Sequence, residues 1–188
     1  MPEASMLEGY DIVIIGAGPA GSSAAQAAAQ RGARVLLIDR KQRIGVPVQC
    51  AELVPQLISR HVDFSSNCII QTIEQMVTHL PDGFSYEMRG PGYMLDRSLF
   101  DKELAARAIL SGARILTETK AVALSSDGIV LERGLKQETI HSKVVIGADG
   151  VHSSVARFLG LAPLKTIVAL QYEVVLNESQ NHVDIFFH

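Results

Sequence analysis

The first forty residues alternate between apolar runs and one alanine-rich segment. Residues 10–15 are almost entirely apolar, as in a strand buried on both faces, whereas residues 1–9 show no pattern and predict a disordered start. Residues 19–31 are rich in alanine and end at Gly32, which predicts a helix with a small-residue face. Residues 35–38 are apolar again. This order of strand, helix and strand predicts a βαβ unit of a parallel sheet.

The next segment loses the helical pattern and gains strand patterns. Residues 41–56 are irregular, with a short helix predicted over 56–60. Alternating and β-branched residues at 69–80 and 84–94 flank a Pro-Asp-Gly turn. We therefore expect an antiparallel pair of strands inserted into the α/β chain.

Helical spacing returns in the second half and then gives way to short strands. Asp96 is placed to cap a helix over 98–111 that Gly112 ends. A strand at 113–116, a hairpin around Ser126, Asp127 and Gly128, and a buried strand at 144–146 are predicted next. Residues 167–176 and 182–187 have the composition of sheet strands, and the chain reaches His188 without a turn or cap. We expect these last strands to begin a domain that this chain does not complete.

Composition narrows the classes of function. The 188 residues are 47% hydrophobic and 20% charged with a net charge of −3, which indicates a globular protein without the basic field of a nucleic-acid-binding protein. Two cysteines and six histidines show neither disulfide nor metal-ligand spacing, so we expect no metal and a cytoplasmic setting. No apolar run approaches the ~20 residues that cross a bilayer, although peripheral membrane contact stays open.

A glycine motif directly follows the first predicted strand. Its residues are Gly16, Ala17, Gly18, Pro19, Ala20 and Gly21. In this position the first glycine allows a tight turn, the second lets a pyrophosphate approach the backbone, and the third lets the helix approach the sheet. Pro19 suits the first helical position because it has no N–H to leave unpaired. The motif predicts a dinucleotide site at the start of the helix.

Two further features narrow the dinucleotide to FAD. Asp39 ends the second strand, where a carboxylate accepts hydrogen bonds from ribose hydroxyls and repels a 2′-phosphate, although the adjacent Arg40 could offset that charge. Asp149 and Gly150 follow the strand at 144–146 and open another helix, which gives the chain a second turn suited to a cofactor. A plain NAD dehydrogenase does not need this second turn, so two such turns favour one long cofactor.

The second turn resembles the Asp-Gly motif of the flavoproteins that include para-hydroxybenzoate hydroxylase. Arg97, at the start of a predicted helix, is suited to a phosphate or ribityl oxygen. The segments around Cys50-Ala51-Glu52 and Leu95-Asp96-Arg97 are similar to those of the geranylgeranyl reductase subfamily. The motifs together with that resemblance imply FAD contacts at Gly16, Gly18, Pro19, Ala20, Gly21, Asp39, Arg40, Arg97, Asp149, Gly150 and the main chain of Ala121. The resemblance places Cys50 in a loop near the flavin. The alternative interpretation is that Cys50 is only a small buried hydrophobic residue.

The predicted fold is an α/β Rossmann-like FAD-binding domain over 10–160 with strands inserted at about 66–95. Residues 161–188 are expected to begin a mixed-sheet substrate domain. The resemblance implies reduction of prenyl carbon–carbon double bonds on a small molecule or lipid, with NAD(P)H as a candidate external reductant. A flavin monooxygenase or halogenase, and a non-catalytic FAD-binding module, remain the alternatives.

Overall fold

The computed structural model describes residues 9–125, 128–175, 177–178 and 180–188. The chain divides into two compact units and passes between them three times. The first unit contains the residues up to Val46 and the segment Asp101–Val168, and the second contains Pro47–Phe100 and Ala169–His188. Neither unit is therefore continuous in sequence.

A parallel four-stranded sheet is the centre of the first unit. Its order is β10-β1-β2-β6, formed by Ser142–Gly147, Tyr10–Ile15, Val35–Ile38 and Arg114–Leu116. All neighbouring strands pair in parallel. Helix α1, Pro19–Ala29, connects β1 to β2 and gives the βαβ unit that the apolar runs predict. The predicted Rossmann-like α/β fold is confirmed.

Each face of this sheet has its own apolar core because successive side chains of a strand point to opposite sides. On one face Ile14 and Leu37 pack with Ala25 of α1 and with Ala108 of α2, the helix Arg97–Leu110 that joins the two units. The small side chains of α1 allow the close helix–sheet approach that the alanine pattern predicts.

The opposite face of the parallel sheet is covered by a second, antiparallel sheet. Its order is β7-β8-β9, formed by Thr119–Ser125, Gly128–Arg133 and Lys136–Ile140. Ile129 and Leu131 of β8 pack against Val13 and Leu36 of the parallel sheet. The predicted hairpin corresponds to β7 and β8, whose strands pair antiparallel, while Ser126 and Asp127 of its turn lie outside the described residues. The first unit thus consists of helices, a parallel sheet and an antiparallel sheet in three layers.

The second unit is built on a mixed sheet. Its order is β11-β4-β5-β3, formed by His182–Phe186, Ile69–His79, Ser85–Leu95 and Leu53–Pro55. Strands β4 and β5 form the predicted inserted hairpin, and its turn ends at Gly83, whose φ of +89° suits glycine. Strand β11 pairs with β4 in parallel and so adds a strand from residues 182–186 to this sheet.

Two strand predictions are corrected by the structure. Residues 167–175 form no strand, because no strand in the described part of the chain offers them a ladder of backbone partners, and Ile167 and Val168 are more than 90% exposed; residue 176 lies outside the described residues. The strand around 144–146 exists as β10, but Val144 is 49% exposed rather than buried. Its position at the edge of the parallel sheet explains this exposure. No helix in the described ranges is long and apolar enough to cross a membrane.

Candidate cofactor site

The glycine turn lies between β1 and α1 and is fixed to the neighbouring strand. The amide of Gly16 donates to the carbonyl oxygen of Ile38 at 2.8 Å, and the φ of Gly16 is +103°, a value that favours glycine. A Cβ at Gly21 would collide with the carbonyl oxygen of Gly16 and would lie 3.2 Å from the Cβ of Ala148. The first and third glycines are therefore required by the close packing of the turn.

Gly18 has a different environment from the other two glycines. A Cβ added there would meet no atom within 4 Å, and its φ of −71° is allowed for any residue. The absence of a side chain at Gly18 therefore does not serve the packing of the protein. It leaves space beside the backbone at the start of α1, which is what a pyrophosphate needs.

The start of α1 supplies hydrogen-bond donors to that space. Gly18 is the N-cap residue and Pro19 is the first helical residue, as the sequence predicts. The amides of Ala20 and Gly21 belong to the first helical turn, where no carbonyl group lies four residues earlier in the helix to accept them. Together with the positive end of the helix dipole, they form a site for phosphate oxygens. The residues present thus fit the ADP part of FAD.

The second motif, around Asp149, meets the glycine turn within the first unit. The amide of Ala148 donates to the carbonyl oxygen of Ile15 at 2.7 Å, so the end of β10 is tied to the end of β1. A Cβ at Gly16 would lie 2.9 Å from the Cα of Asp149. Gly150 follows with a φ of +78° and is exposed. The structure therefore brings together the two glycine-containing turns that the sequence singles out.

The carboxylate of Asp149 lies at the start of the short helix α3, Ser154–Phe158, whose N-cap residue is Ser153. It accepts hydrogen bonds from the hydroxyl of Ser153 at 2.5 Å, from the amide of Ser154 at 2.6 Å and from the hydroxyl of Ser154 at 2.7 Å. Burial raises the pKa of Asp149, but the hydrogen bonds from Ser153 and Ser154 outweigh it, so the pKa lies below its usual range. By joining Asp149 to Ser153 and Ser154, these hydrogen bonds hold the backbone conformation of the second turn.

Replacing Asp149 tests this role through stability. Asp149→Asn should lower the free energy of unfolding at pH 7 by about 1–3 kcal/mol, because the neutral amide cannot accept all three hydrogen bonds. A lowered folded-state pKa stabilises the protein above the unfolded-state value of about 4 and loses that contribution as pH falls through the folded-state value. Urea unfolding should therefore show the difference between wild type and variant shrinking from pH 7 towards pH 3.5.

A suitable control is Asp63→Asn, since Asp63 is an exposed residue of the second unit. It should change the free energy of unfolding by less than about 0.5 kcal/mol at either pH. A stability difference for Asp149→Asn that does not vary with pH would contradict the role of the ionised carboxylate.

Asp39, Arg40 and Ala121 complete the predicted residues of the first unit. The carboxylate of Asp39 accepts the amides of Ala17 and Lys41, each at 2.8 Å. Arg40 is exposed, and Ala121 of β7 packs partly buried against the core. Asp39 therefore lies against the glycine turn itself, as its place at the end of β2 predicts.

The other two predicted residues, Cys50 and Arg97, lie in the second unit and contact each other. The guanidinium Nη1 of Arg97 donates to the sulfur of Cys50 at 2.9 Å, and the amide of Glu52 donates to the same sulfur at 3.4 Å. The Arg97 guanidinium also lies 5.8 Å from the centre of the Phe100 ring. Cys50 thus has polar partners, unlike the small buried hydrophobic residue of the alternative interpretation.

Asp96 caps α2 as predicted. Its carboxylate accepts the hydroxyl of Ser98 at 2.7 Å and the amide of Leu99 at 2.9 Å. These hydrogen bonds hold the pKa of Asp96 below its usual range. The cap fixes the start of the helix at Arg97 and so the origin of the arginine side chain.

Sequence reasoning missed the serines that hold Asp149. Ser153 and Ser154 stand four and five residues after the aspartate, and Ser153 is also the N-cap residue of α3, accepting the amide of Ala156 at 2.9 Å. A pair of serines at the start of a helix is a capping pattern, and this was the available signal.

Comparison with known proteins agrees with this geometry. The model of a family described as FAD dependent oxidoreductase matches residues 11–156. The chain belongs to this family. The match includes the glycine turn, Asp39, Asp149 and Gly150, so the predicted cofactor class, FAD, agrees with the family.

One curated relative of this chain is a digeranylgeranylglycerophospholipid reductase of Methanocaldococcus jannaschii. It is 35% identical over 95% of this chain and 49% of its own length. The chain thus spans about half the length of this relative. The predicted resemblance to the geranylgeranyl reductase group is confirmed.

Solved structures show the same fold. A geranylgeranyl bacteriochlorophyll reductase-like protein from Thermoplasma acidophilum superposes with a TM-score of 0.80 and 25% identity, covering 96% of this chain and 50% of that chain. A flavin-dependent brominase superposes with a TM-score of 0.68 and 20% identity, covering 80% and 41%. The brominase likeness shows the fold alone, so the comparisons favour the reductase prediction over the halogenase alternative.

Proposed function

We propose that this chain supplies the ADP-binding half of an FAD site in an enzyme that reduces carbon–carbon double bonds of a prenyl chain. The observation that supports this most is the open space at Gly18, because the packing of the protein does not require a glycine there. The named activity of the reductase relatives supplies the choice of substrate class.

The residues proposed to hold FAD fall into four groups. The amides of Gly18, Ala20 and Gly21 bind the pyrophosphate, with Pro19 as the first helical residue between them, and Asp39 with Arg40 and the main chain of Ala121 lie on the adenosine side. Gly150 and the second turn, which Asp149 shapes, lie on the ribityl side. Arg97 and Cys50 of the second unit are proposed as further contacts with the cofactor.

Reduced FAD, when bound, would supply a hydride equivalent to one alkene carbon, and the other carbon would take up a proton. The residues of this chain contribute binding and orientation. The glycine turn would bind the pyrophosphate by amide hydrogen bonds, and the hydrogen bonds of Ser153 and Ser154 to Asp149 would hold the backbone of the second turn. NAD(P)H is the proposed external reductant.

The proposed substrate is a prenylated lipid or a prenylated small molecule. An enzyme with such a substrate can work at a membrane surface without crossing the membrane, and we propose a cytoplasmic protein with peripheral membrane contact. We also propose that residues 10–160 form the FAD-binding domain, with inserted strands at about 66–95, and that residues 161–188 begin the substrate domain.

Turnover tests the proposed function directly. The purified protein should bind FAD, become yellow and bleach under dithionite. With reduced FAD and a digeranylgeranylglycerophospholipid it should yield products heavier by two hydrogen atoms for each saturated double bond, measured by mass spectrometry. The control is the same assay with a fully saturated lipid, which should give no product. Hydroxylated or halogenated products formed with oxygen, without added hydrogen, would contradict the proposal.

A further inference from the structure

Asp39 uses both oxygens of its carboxylate within the protein. Oδ2 accepts the amide of Ala17, inside the glycine turn, at 2.8 Å, and Oδ1 accepts the amide of Lys41, after β2, at 2.8 Å. Ala17 is only 1% exposed. Water therefore has little access to replace the carboxylate as acceptor of the Ala17 amide, and a buried amide without an acceptor is costly.

The backbone of Asp39 is itself held on both sides. Its amide donates to the carbonyl oxygen of Leu116 at 2.9 Å, and its carbonyl oxygen accepts the amide of Thr119 at 2.9 Å. Lys41, two residues later, extends this attachment, because its carbonyl oxygen accepts the amide of Glu118 at 3.1 Å. The backbone of Asp39 is thus fixed at the ends of β2 and β6, and its carboxylate ties the glycine turn to this position.

We infer that Asp39 is a positioning residue that contributes to FAD affinity by holding the glycine turn in the shape that binds pyrophosphate. This inference rests on the proposed FAD site and departs from the prediction that the carboxylate acts by contacting the ribose hydroxyls. Asp39 acts through the amide of Ala17. The phosphate-binding amides of Ala20 and Gly21 come three and four residues later in the chain, so their position depends on the same turn.

The two mechanisms differ in how the effect of a substitution depends on the ribose. A ribose contact is lost only with ligands that carry the hydroxyls. A positioning role affects every ligand with the pyrophosphate, whether or not its ribose has hydroxyls. ADP and 2′,3′-dideoxy-ADP make this distinction, because they share the adenine and the pyrophosphate.

The experiment is calorimetric titration of the FAD-free protein with both ligands. Asp39→Ala should weaken ADP and dideoxy-ADP by the same factor, about 10-fold or more, because the Ala17 amide loses its acceptor. Asp39→Asn keeps one acceptor oxygen and should weaken both ligands less, again equally. This milder variant keeps the test decisive if Asp39→Ala does not fold. Weakening of ADP with no weakening of dideoxy-ADP, in either variant, would overturn the inference.

A matched control exists at the start of β1, the strand that leads into the glycine turn. Asp11 also accepts a backbone amide with its carboxylate, that of Arg34 at 2.9 Å, but it lies at the start of β1, away from the glycine turn. Asp11→Asn should leave the affinity for both ligands within about twofold of wild type.

Hydrogen exchange provides a readout that ribose binding would not change. In the ligand-free protein the amide of Ala17 should exchange faster in Asp39→Ala, which removes its acceptor, than in wild type, while the amide of Arg34 should be unaffected. An unchanged rate at Ala17 would contradict the inference even if affinity fell. If wild-type protein bound neither FAD nor ADP, the proposed function would fail and this inference with it, whereas a ribose-dependent result would leave the proposed function intact.

Discussion

Gly18→Val is expected to weaken FAD binding at least 100-fold, equivalent to about 2.7 kcal/mol, while the protein stays folded. The new side chain would extend into the space at the start of α1, where the structure has no atom within 4 Å of the added Cβ. It would therefore keep the pyrophosphate away from the amides of the turn. Titration followed by flavin fluorescence measures the loss of affinity.

Thermal unfolding of the FAD-free protein is the companion measurement. The φ of −71° at Gly18 is compatible with valine, so the melting temperature should fall by only a few degrees, mostly from the poorer N-cap. Gly18→Ala should give an intermediate affinity, because it adds one carbon atom instead of three. Wild-type affinity in the valine variant would exclude the pyrophosphate from this turn.

Gly21→Ala is expected to act in the opposite way and to destabilise the fold itself. Its Cβ would collide with the carbonyl oxygen of Gly16, a backbone atom that cannot move without displacing the end of β1. Overpacking of this kind costs about 3 kcal/mol of unfolding free energy. Urea unfolding without ligand should show this loss, and FAD affinity should also fall because the turn is displaced.

The control for Gly21→Ala adds volume elsewhere on the same helix. Ala27 is an exposed residue of α1, so Ala27→Val should cost less than about 1 kcal/mol, from helix propensity alone. Equal stability of Gly21→Ala and wild type would contradict the close approach of helix and turn. Together, the two predictions distinguish Gly18, whose substitution affects FAD binding with little loss of stability, from Gly21, whose substitution affects both.

Local pattern was sufficient to predict the parallel sheet and the glycine turn. Buried parallel strands are apolar throughout, and the turn needs glycine at fixed positions, so both features are written in adjacent residues. The cap at Asp96 was predicted for the same reason, since a helix cap depends only on the residues next to it.

Features that depend on distant partners were not predicted from the sequence. Strand β9, Lys136–Ile140, is polar at four of five positions and becomes a strand because β8 offers a ladder of backbone partners. Residues 167–175 have a strand-like composition but no ladder partner, so they form no strand. The partners of Asp39 likewise depend on how β2 meets the glycine turn, which no local pattern contains. The predicted cofactor contacts themselves stay predictions until the variants are measured.

The pairing of β11 with β4 has a consequence for the order in which the protein folds during synthesis. Strands β4 and β5 are neighbours in sequence and can pair as soon as both have left the ribosome, whereas the first contact of β11 joins His182 to Gln75. Until then the outer edge of β4 has unpaired backbone groups that could pair with another chain. Released chains truncated before residue 182 should therefore aggregate more readily than released chains that include β11.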